Sequence, residues 1–158
     1  MCEEYLFPLV LSDPADSIVG MDHPWRRLRE RADWLLRWAR LPGELLGFTD
    51  FATKTITVDS RLLQAERRCT IAHELEHVRR GPMPADPVLA AREELVIDKA
   101  VAWRLIEIKA LGEALAWAQS LDEAAEELWV DKATLLTRLQ NLHPAERAYL
   151  TRRLEHHD

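Results

Sequence analysis

Residues 71–78 have the sequence Ile-Ala-His-Glu-Leu-Glu-His-Val, which is the pattern H-E-x-x-H inside an apolar frame. On a helix, His73 and His77 lie one turn apart on the same face, so both imidazoles can reach a single metal ion. Glu74 lies beside the first histidine, where a carboxylate can take a proton from a metal-bound water without being a ligand itself. The stretch therefore predicts a buried helix with one packing face and one metal-binding face.

The alternative interpretation is a solvated helix that carries two surface histidines. It fits the sequence less well, because the apolar residues Ile71, Leu75 and Val78 occupy the side of the helix opposite the histidine pair. An apolar stripe behind two candidate ligands favours a helix that packs on a core and presents a metal site.

Acidic residues that could complete the metal site follow the second histidine, and they are Asp86, Glu93, Glu94 and Asp98. A catalytic zinc site usually has three protein ligands and one open position. Glu94 and Asp98 share a helix face that is otherwise apolar, so we predict Glu94 as the third ligand and Glu93 as its nearest competitor. Asp98 is then placed to accept the free N–H of a histidine ligand. A salt bridge to a neighbouring arginine is the other role open to either Glu94 or Asp98.

The composition indicates an ordinary globular protein. The chain has 158 residues, of which 47% are hydrophobic, and its net charge of −6 argues against a surface that binds nucleic acid throughout. Cys2 and Cys69 are too few for a disulfide framework, which suits a reducing cytoplasm. The apolar run at 5–11 is broken by Pro8 and predicts a strand or an extended arm rather than a signal peptide or a membrane span. We therefore expect a cytoplasmic protein with no membrane association.

Hydrophobic periodicity and turn residues predict an α+β fold that is mainly helical. We predict a hairpin at 45–58 with 49–52 as its turn, and a long helix at 61–79 capped by Asp59 or Ser60. The other predicted helices are 24–40, 92–105, 109–119, 121–128, 132–142 and one that begins at Pro144, with Ser120 opening a capping box. These elements predict a metal-binding domain at 1–119 and a helical extension at 120–158.

The extension contains a segment with the spacing of a helix-turn-helix. Its packing positions are Ala125, Val130, Leu135 and Leu139, and Trp129 stands where that motif usually has glycine. The candidate DNA contacts are Lys132, Thr134 and Arg138. DNA affinity comes mainly from neutralisation of the phosphates, and the two cations that follow an acidic first helix in the sequence would contribute little to that affinity. We expect this segment to pack on the rest of the chain or to dock a protein partner, with DNA binding as the alternative.

Taken together, these motifs resemble the ImmA/IrrE metallopeptidases. That family carries H-E-x-x-H followed by E-x-x-A-[ND]-x-x-A, and the corresponding segments here are 70–77 and Glu94-x-x-Ile97-Asp98, within a match that spans 25–106. The resemblance implies a zincin-like fold in which a small sheet packs on the active helix. It also implies a zinc endopeptidase, often encoded by a phage or mobile element, that cleaves a helix-turn-helix repressor.

Transferred residue by residue, the resemblance makes His73, His77 and Glu94 the ligands of one Zn²⁺ per chain, with Glu74 as the catalytic base. No oxyanion-stabilising residue can be carried over, so His143, Tyr149 and the arginines stay open as candidates. The alternative function is a DNA-binding or repressor-docking module in which zinc is structural or vestigial.

Two further features have structural explanations. Cys69 lies four residues before His73 and shares its face, where it is either a buried structural cysteine or an extra thiolate ligand, and we expect the former. His156 and His157 lie directly before the last residue, Asp158, and predict a frayed tail.

Overall fold

The computed structural model describes residues 22–155, so the strand or arm predicted at 5–11 and the pair His156 and His157 lie outside the described residues. The elements are α1 (Pro24–Arg29), β1 (Leu35–Ala39), β2 (Gly47–Asp50), β3 (Thr55–Asp59), α2 (Gln64–Arg80), α3 (Pro87–Leu105), α4 (Ile108–Trp117), α5 (Leu121–Glu127), α6 (Lys132–Gln140) and α7 (Pro144–Glu155). The predicted fold class, α+β and mostly helical with a small sheet, is confirmed. None of the helices in this part of the chain combines the length and the apolar character needed to cross a membrane.

The chain forms two compact units, of which the first ends at Pro84 and the second begins at Ala85. The first unit contains α1, the sheet and α2, and the second contains α3 to α7. The boundary predicted at 119/120 falls inside the second unit, where α4 packs against both α5 and α7.

The sheet has the strand order β1-β3-β2, with β1 parallel and β2 antiparallel to the central strand. The hairpin predicted from the sequence is therefore present, but its first strand extends to Asp50, so that Thr49 belongs to a strand rather than to the turn. Ile56 and Val58 of β3 are completely buried and, together with Ile71 and other apolar side chains, form the core of the first unit.

The helix predicted at 24–40 is wrong over its second half. Helix α1 ends at Arg29, and residues 35–39 form β1. Alternation along the strand places Leu36 and Trp38 on the same face of the sheet. Their paired residues on β3 belong to the core, and both side chains pack against that core. An apolar-rich stretch of this length fits both the helical and the strand period, and pairing with β3 decides between them.

Helix α2 begins later than predicted, and its N-cap is Leu63 rather than residue 59 or 60. The Glu66 carboxylate accepts a hydrogen bond from the Leu63 backbone N–H at 2.7 Å, which satisfies one donor at the start of the helix. Asp59 is instead buried at the end of β3, where it accepts from the backbone N–H of Leu41 at 3.0 Å and from the Arg61 guanidinium at 2.6 Å. Hydrogen bonding from Arg61 holds the pKa of Asp59 well below its usual range.

In the second unit, α3 starts five residues earlier than predicted, because Asp86 accepts hydrogen bonds from the backbone N–H groups of Val88 and Leu89 and so caps the helix. The predicted capping box at Ser120 is present in a related form. Its hydroxyl accepts from the Glu123 N–H at 3.2 Å, while the Glu123 carboxylate accepts from the N–H of residue 119 at 2.6 Å.

Candidate metal centre

Helix α2 is buried along most of its length. Ile71 and Leu75 belong to the core of the first unit, while the ionisable residues Glu74, Glu76 and His77 are also buried. Burying ionisable groups is costly unless they are paired, hydrogen-bonded or bound to metal. The alternative of a solvated helix with surface histidines is therefore excluded.

The two histidines lie as the spacing predicts. His73 Nε2 and His77 Nε2 are 3.2 Å apart, and the ring centroids are separated by 4.9 Å. Two nitrogen ligands of a tetrahedral zinc ion, each at its usual bond length, would be about 3.3 Å apart. The helix thus holds both nitrogens at a separation that suits one shared ion. Because metal binding needs both nitrogens deprotonated, a proton on either Nε2 competes with the ion.

The third predicted ligand joins the same group. Among the described residues, His73, His77 and Glu94 each offer one ligand atom, and these atoms all lie within 4.8 Å of one another, so the group could hold a metal ion. Two imidazoles and one carboxylate are a donor set typical of catalytic zinc. The competitor Glu93 is not a member of this group, and Asp86 is engaged as the cap of α3.

Asp98 lies one turn after Glu94 on α3, and both side chains are half-buried. Val101 and Leu105, which follow on the same face, are buried, so this face is otherwise apolar as the sequence predicts. The proposed contact of Asp98 with a histidine ligand stays a prediction.

Glu74, the predicted base, lies beside the first histidine and outside the ligand group. It is only 4% exposed, and the hydroxyl of Thr49 on β2 donates a hydrogen bond to its Oε2 at 2.8 Å. The same Oγ1 lies 3.4 Å from the backbone oxygen of Glu74. A carboxylate held in this way can act on a neighbouring water while leaving the metal to the other three side chains.

Sequence reasoning misses Thr49 because it places this residue in a turn. The signal that could have found it is alternation: Gly47 and Thr49 pair with Val58 and Ile56, the two most buried residues of β3. A threonine on the packing face of a strand needs a hydrogen-bond partner, and the acidic residue of the neighbouring helix provides one.

Gly47 allows this strand to approach α2 closely. A Cβ atom at this position would lie 2.7 Å from Thr70 Cγ2, 3.0 Å from the backbone oxygen of Thr57 and 3.5 Å from Glu74 Cγ. Any other residue type would therefore force a shift of β2 or of the Thr70 side chain.

Cys69 is buried and is not a member of the ligand group, which fits the expected structural role. Glu76, also buried, accepts hydrogen bonds from the guanidinium of Arg79, and this interaction raises the pKa of Arg79. Neither residue is needed to explain the metal site.

The candidate DNA contacts lie on α6, and the side chains of Lys132 and Arg138 are engaged within the second unit. Arg138 is 1% exposed; its guanidinium donates to the Ile106 carbonyl at 3.0 Å and to both carboxylate oxygens of Glu146 at 3.0 and 2.6 Å. It also lies over the indole ring of Trp103, with its Cζ 4.9 Å from the ring centroid. Arg138 is therefore a packing and hydrogen-bonding centre of the helical unit rather than a cation presented at the surface.

The other two candidates lie at the start of α6. Lys132 pairs with Asp122 at 2.9 Å, and the Thr134 N–H donates to the capping carboxylate of Asp131 at 2.7 Å. In the connection before this helix, Trp129 has φ +55°, a left-handed conformation that favours glycine. Trp129, at the position where the motif usually has glycine, thus has a backbone conformation that glycine adopts more readily than tryptophan does.

The candidate oxyanion donors have local contacts of their own. The His143 Nδ1 accepts from the Ala145 N–H at 3.2 Å at the start of α7. Tyr149 packs on Gly112 of α4, where an added Cβ would lie 3.2 Å from Tyr149 Cε1. The assignment of an oxyanion donor stays a prediction.

The chain was compared with protein-family models, with curated proteins and with solved structures, and no match was found in any of the three comparisons.

Proposed function

We propose that this chain is an intracellular zinc-dependent endopeptidase, of the kind that the ImmA/IrrE resemblance implies, acting on a protein regulator such as a helix-turn-helix repressor. The observation that carries the proposal is the grouping of His73, His77 and Glu94 as candidate ligands with the buried carboxylate of Glu74 next to the first of them. The substrate class comes from the sequence resemblance alone.

The number of ligands favours a catalytic site over a structural one. Structural zinc sites in proteins are usually closed by four side chains, whereas catalytic sites use three and leave one position for water or substrate. The group of candidate ligands found within residues 22–155 has three members. Cys69, one turn before His73 and a natural fourth ligand by residue type, is not part of it.

The zinc ion, when bound, supplies Lewis acidity toward the peptide carbonyl and lowers the pKa of a coordinated water. The chain's own residues supply orientation and proton transfer. A carboxylate oxygen of Glu74 accepts the proton of the attacking water and later returns it to the nitrogen of the leaving amine. Burial of Glu74 keeps bulk water from competing for that proton, and Thr49 holds the carboxylate on the β2 side of the helix.

A proteome-wide search for new protein N-termini tests this proposal and does not require a known substrate. Cells of the source organism that produce the wild-type chain are compared with cells that produce Glu74→Gln at the same level. We expect at least one N-terminus that depends on Glu74, with a DNA-binding regulator among the proteins cut. If the two sets of N-termini are identical, the proposed function is wrong.

A further inference from the structure

We infer that Thr49 is a positioning residue for the catalytic base, so that the hydroxyl on strand β2 sets the orientation of the Glu74 carboxylate. This inference rests on the proposed function, because it assigns Thr49 a part in that reaction. Thr49 does not belong to the H-E-x-x-H pattern, and 25 residues separate it from Glu74 in the sequence.

The position of Thr49 in the sheet is the first step. Along β2, Gly47 and Thr49 point to the same face, and their partners on β3 are Val58 and Ile56, which are completely buried. Strand β2 packs against α2 on this side. A hydroxyl on a face of this kind is stable when it has a hydrogen-bond partner, and the Glu74 carboxylate accepts from it at 2.8 Å.

The second step is the geometry of the contact. Thr49 Oγ1 lies 2.8 Å from Oε2 and 3.4 Å from the backbone oxygen of the same glutamate. The hydroxyl has one hydrogen to donate, and the shorter contact identifies Oε2 as its acceptor, so the hydrogen bond restrains the carboxylate at the end of the Glu74 side chain. Glutamate loses much rotamer freedom when it is fixed, so a contact made before substrate arrives lowers the cost of holding the base in place.

The third step concerns the distance between strand and helix. Because Gly47 has no side chain, β2 lies so close to α2 that an added Cβ would contact Thr70 and Glu74. At this distance the Thr49 hydroxyl is within hydrogen-bond reach of Glu74. A general base must lie within hydrogen-bond distance of the proton that it takes, so its orientation affects the chemical step more than substrate affinity.

The test uses Thr49→Val, which keeps the shape and removes the hydroxyl, and Thr49→Ser, which keeps the hydroxyl. Thr55→Val on β3 is the matched control, because its exposed hydroxyl donates to the Thr53 carbonyl instead. The probe is a quenched fluorescent peptide containing a bond that the wild-type chain cuts in a proteome-derived peptide library. Zinc content and thermal unfolding are measured on every variant.

For Thr49→Val we expect kcat to fall about tenfold, with KM and zinc content within about twofold of wild type, since an interaction that orients a base acts on the chemical step. Thr49→Ser should recover most of the loss, and Thr55→Val should behave as wild type. In the Glu74→Gln background, Thr49→Val should cause no further loss, because Thr49 acts through Glu74. A purely structural role would instead lower activity in both backgrounds.

The inference is overturned if Thr49→Val keeps wild-type kcat, if serine fails to rescue it, or if its defect persists beside Glu74→Gln. Equal cleavage by wild type and Glu74→Gln, or none by either, would instead refute the proposed function. Crystal structures of the zinc-loaded variants test the inference without an activity measurement. The Glu74 carboxylate should keep its orientation in Thr49→Ser and lose it in Thr49→Val; an unchanged carboxylate in Thr49→Val contradicts the inference.

Discussion

A methyl group on Gly47 would lie 2.7 Å from Cγ2 of Thr70, closer than carbon atoms approach one another in folded proteins. The second obstacle, the backbone oxygen of Thr57 at 3.0 Å, belongs to the neighbouring strand and cannot rotate away. The closeness of strand β2 to helix α2 thus depends on the absence of a side chain at one position.

Gly47→Ala should destabilise the protein by about 1–3 kcal/mol, the usual cost of overpacking a close contact. It should also displace β2 and with it Thr49, so that cleavage falls although the zinc ligands are untouched. Urea unfolding measures the loss of stability, and peptide cleavage at the wild-type zinc content measures the second effect. Adding Thr70→Ala removes the first obstacle and should recover part of the stability; full wild-type stability of Gly47→Ala alone would show that β2 can move freely.

Alanine substitutions of the acidic residues of α3 should rank these residues by their contribution to zinc affinity. Wild type should bind one zinc ion, and Glu94→Ala should weaken zinc binding by more than about 100-fold, because loss of a residue that only orients a ligand already costs about 10–100-fold. Asp98→Ala should fall in that smaller range, and Glu93→Ala is the matched control with near-wild-type affinity. Competition titration with a chelator measures the zinc affinity of all three variants. If Glu93→Ala lost zinc and Glu94→Ala kept it, Glu93 rather than Glu94 would be the third ligand.

The pair of buried Arg138 and half-buried Glu146 should contribute strongly to the stability of the second unit. Arg138→Met removes the guanidinium donor of the Ile106 carbonyl and leaves the Glu146 carboxylate with only the His143 N–H, which should cost about 3 kcal/mol. Arg147→Met, on an exposed site of α7, is the control and should change the free energy of unfolding by less than about 0.5 kcal/mol. Equal stability of the two variants would contradict the role given to Arg138.

The same pair predicts a dependence on pH. The hydrogen bond from Arg138 lowers the pKa of Glu146, so the folded state binds this proton less tightly than the unfolded chain does. The contribution of the pair is fully present above the unfolded value of about 4.3 and is lost as the pH falls through the lower, folded value. The difference in unfolding free energy between wild type and Arg138→Met should therefore shrink as the solution is changed from neutral to strongly acidic. A difference that stays constant with pH would show that the interaction with Arg138 does not lower the pKa of Glu146.

The C-terminal helices should not bind DNA with the salt dependence of a phosphate-binding surface. Helix α5 carries four acidic residues, namely Asp122, Glu123, Glu126 and Glu127, while Arg138 is buried and Lys132 is paired. Each phosphate contact by a cation contributes about one unit to the slope of log affinity against log salt, so we expect a slope near zero for the whole chain. A steep slope, lowered by about one unit in Lys132→Ala, would restore the DNA-binding alternative.

The parts of the site that the sequence predicts are local. His73, Glu74 and His77 lie within five residues of one helix, and the helical repeat alone fixes their relative positions. The positions of Glu94 and Asp98 on one face of α3 follow from the same repeat.

The parts that the sequence does not predict depend on pairing between distant segments. The apolar pattern of residues 35–39 fits the helical and the strand period equally, and only the partner strand some 20 residues later selects β1. The assignment of Thr49 to a strand or to a turn is equally uncertain from the sequence, because the boundaries of a hairpin can shift by about two residues without any change in the apolar pattern. The contact between Thr49 and Glu74 exists because strand and helix pack together, which no local pattern encodes.

The measurement that tests the central claim most directly is a time course of peptide cleavage by purified wild type and Glu74→Gln, adjusted to the same zinc content. Removal of a general base while the metal stays bound should lower kcat by about 10²–10⁴-fold. Zinc-matched Glu74→Gln that cuts the same bond at the wild-type rate would show that Glu74 is not the base, and the proposed mechanism would be wrong.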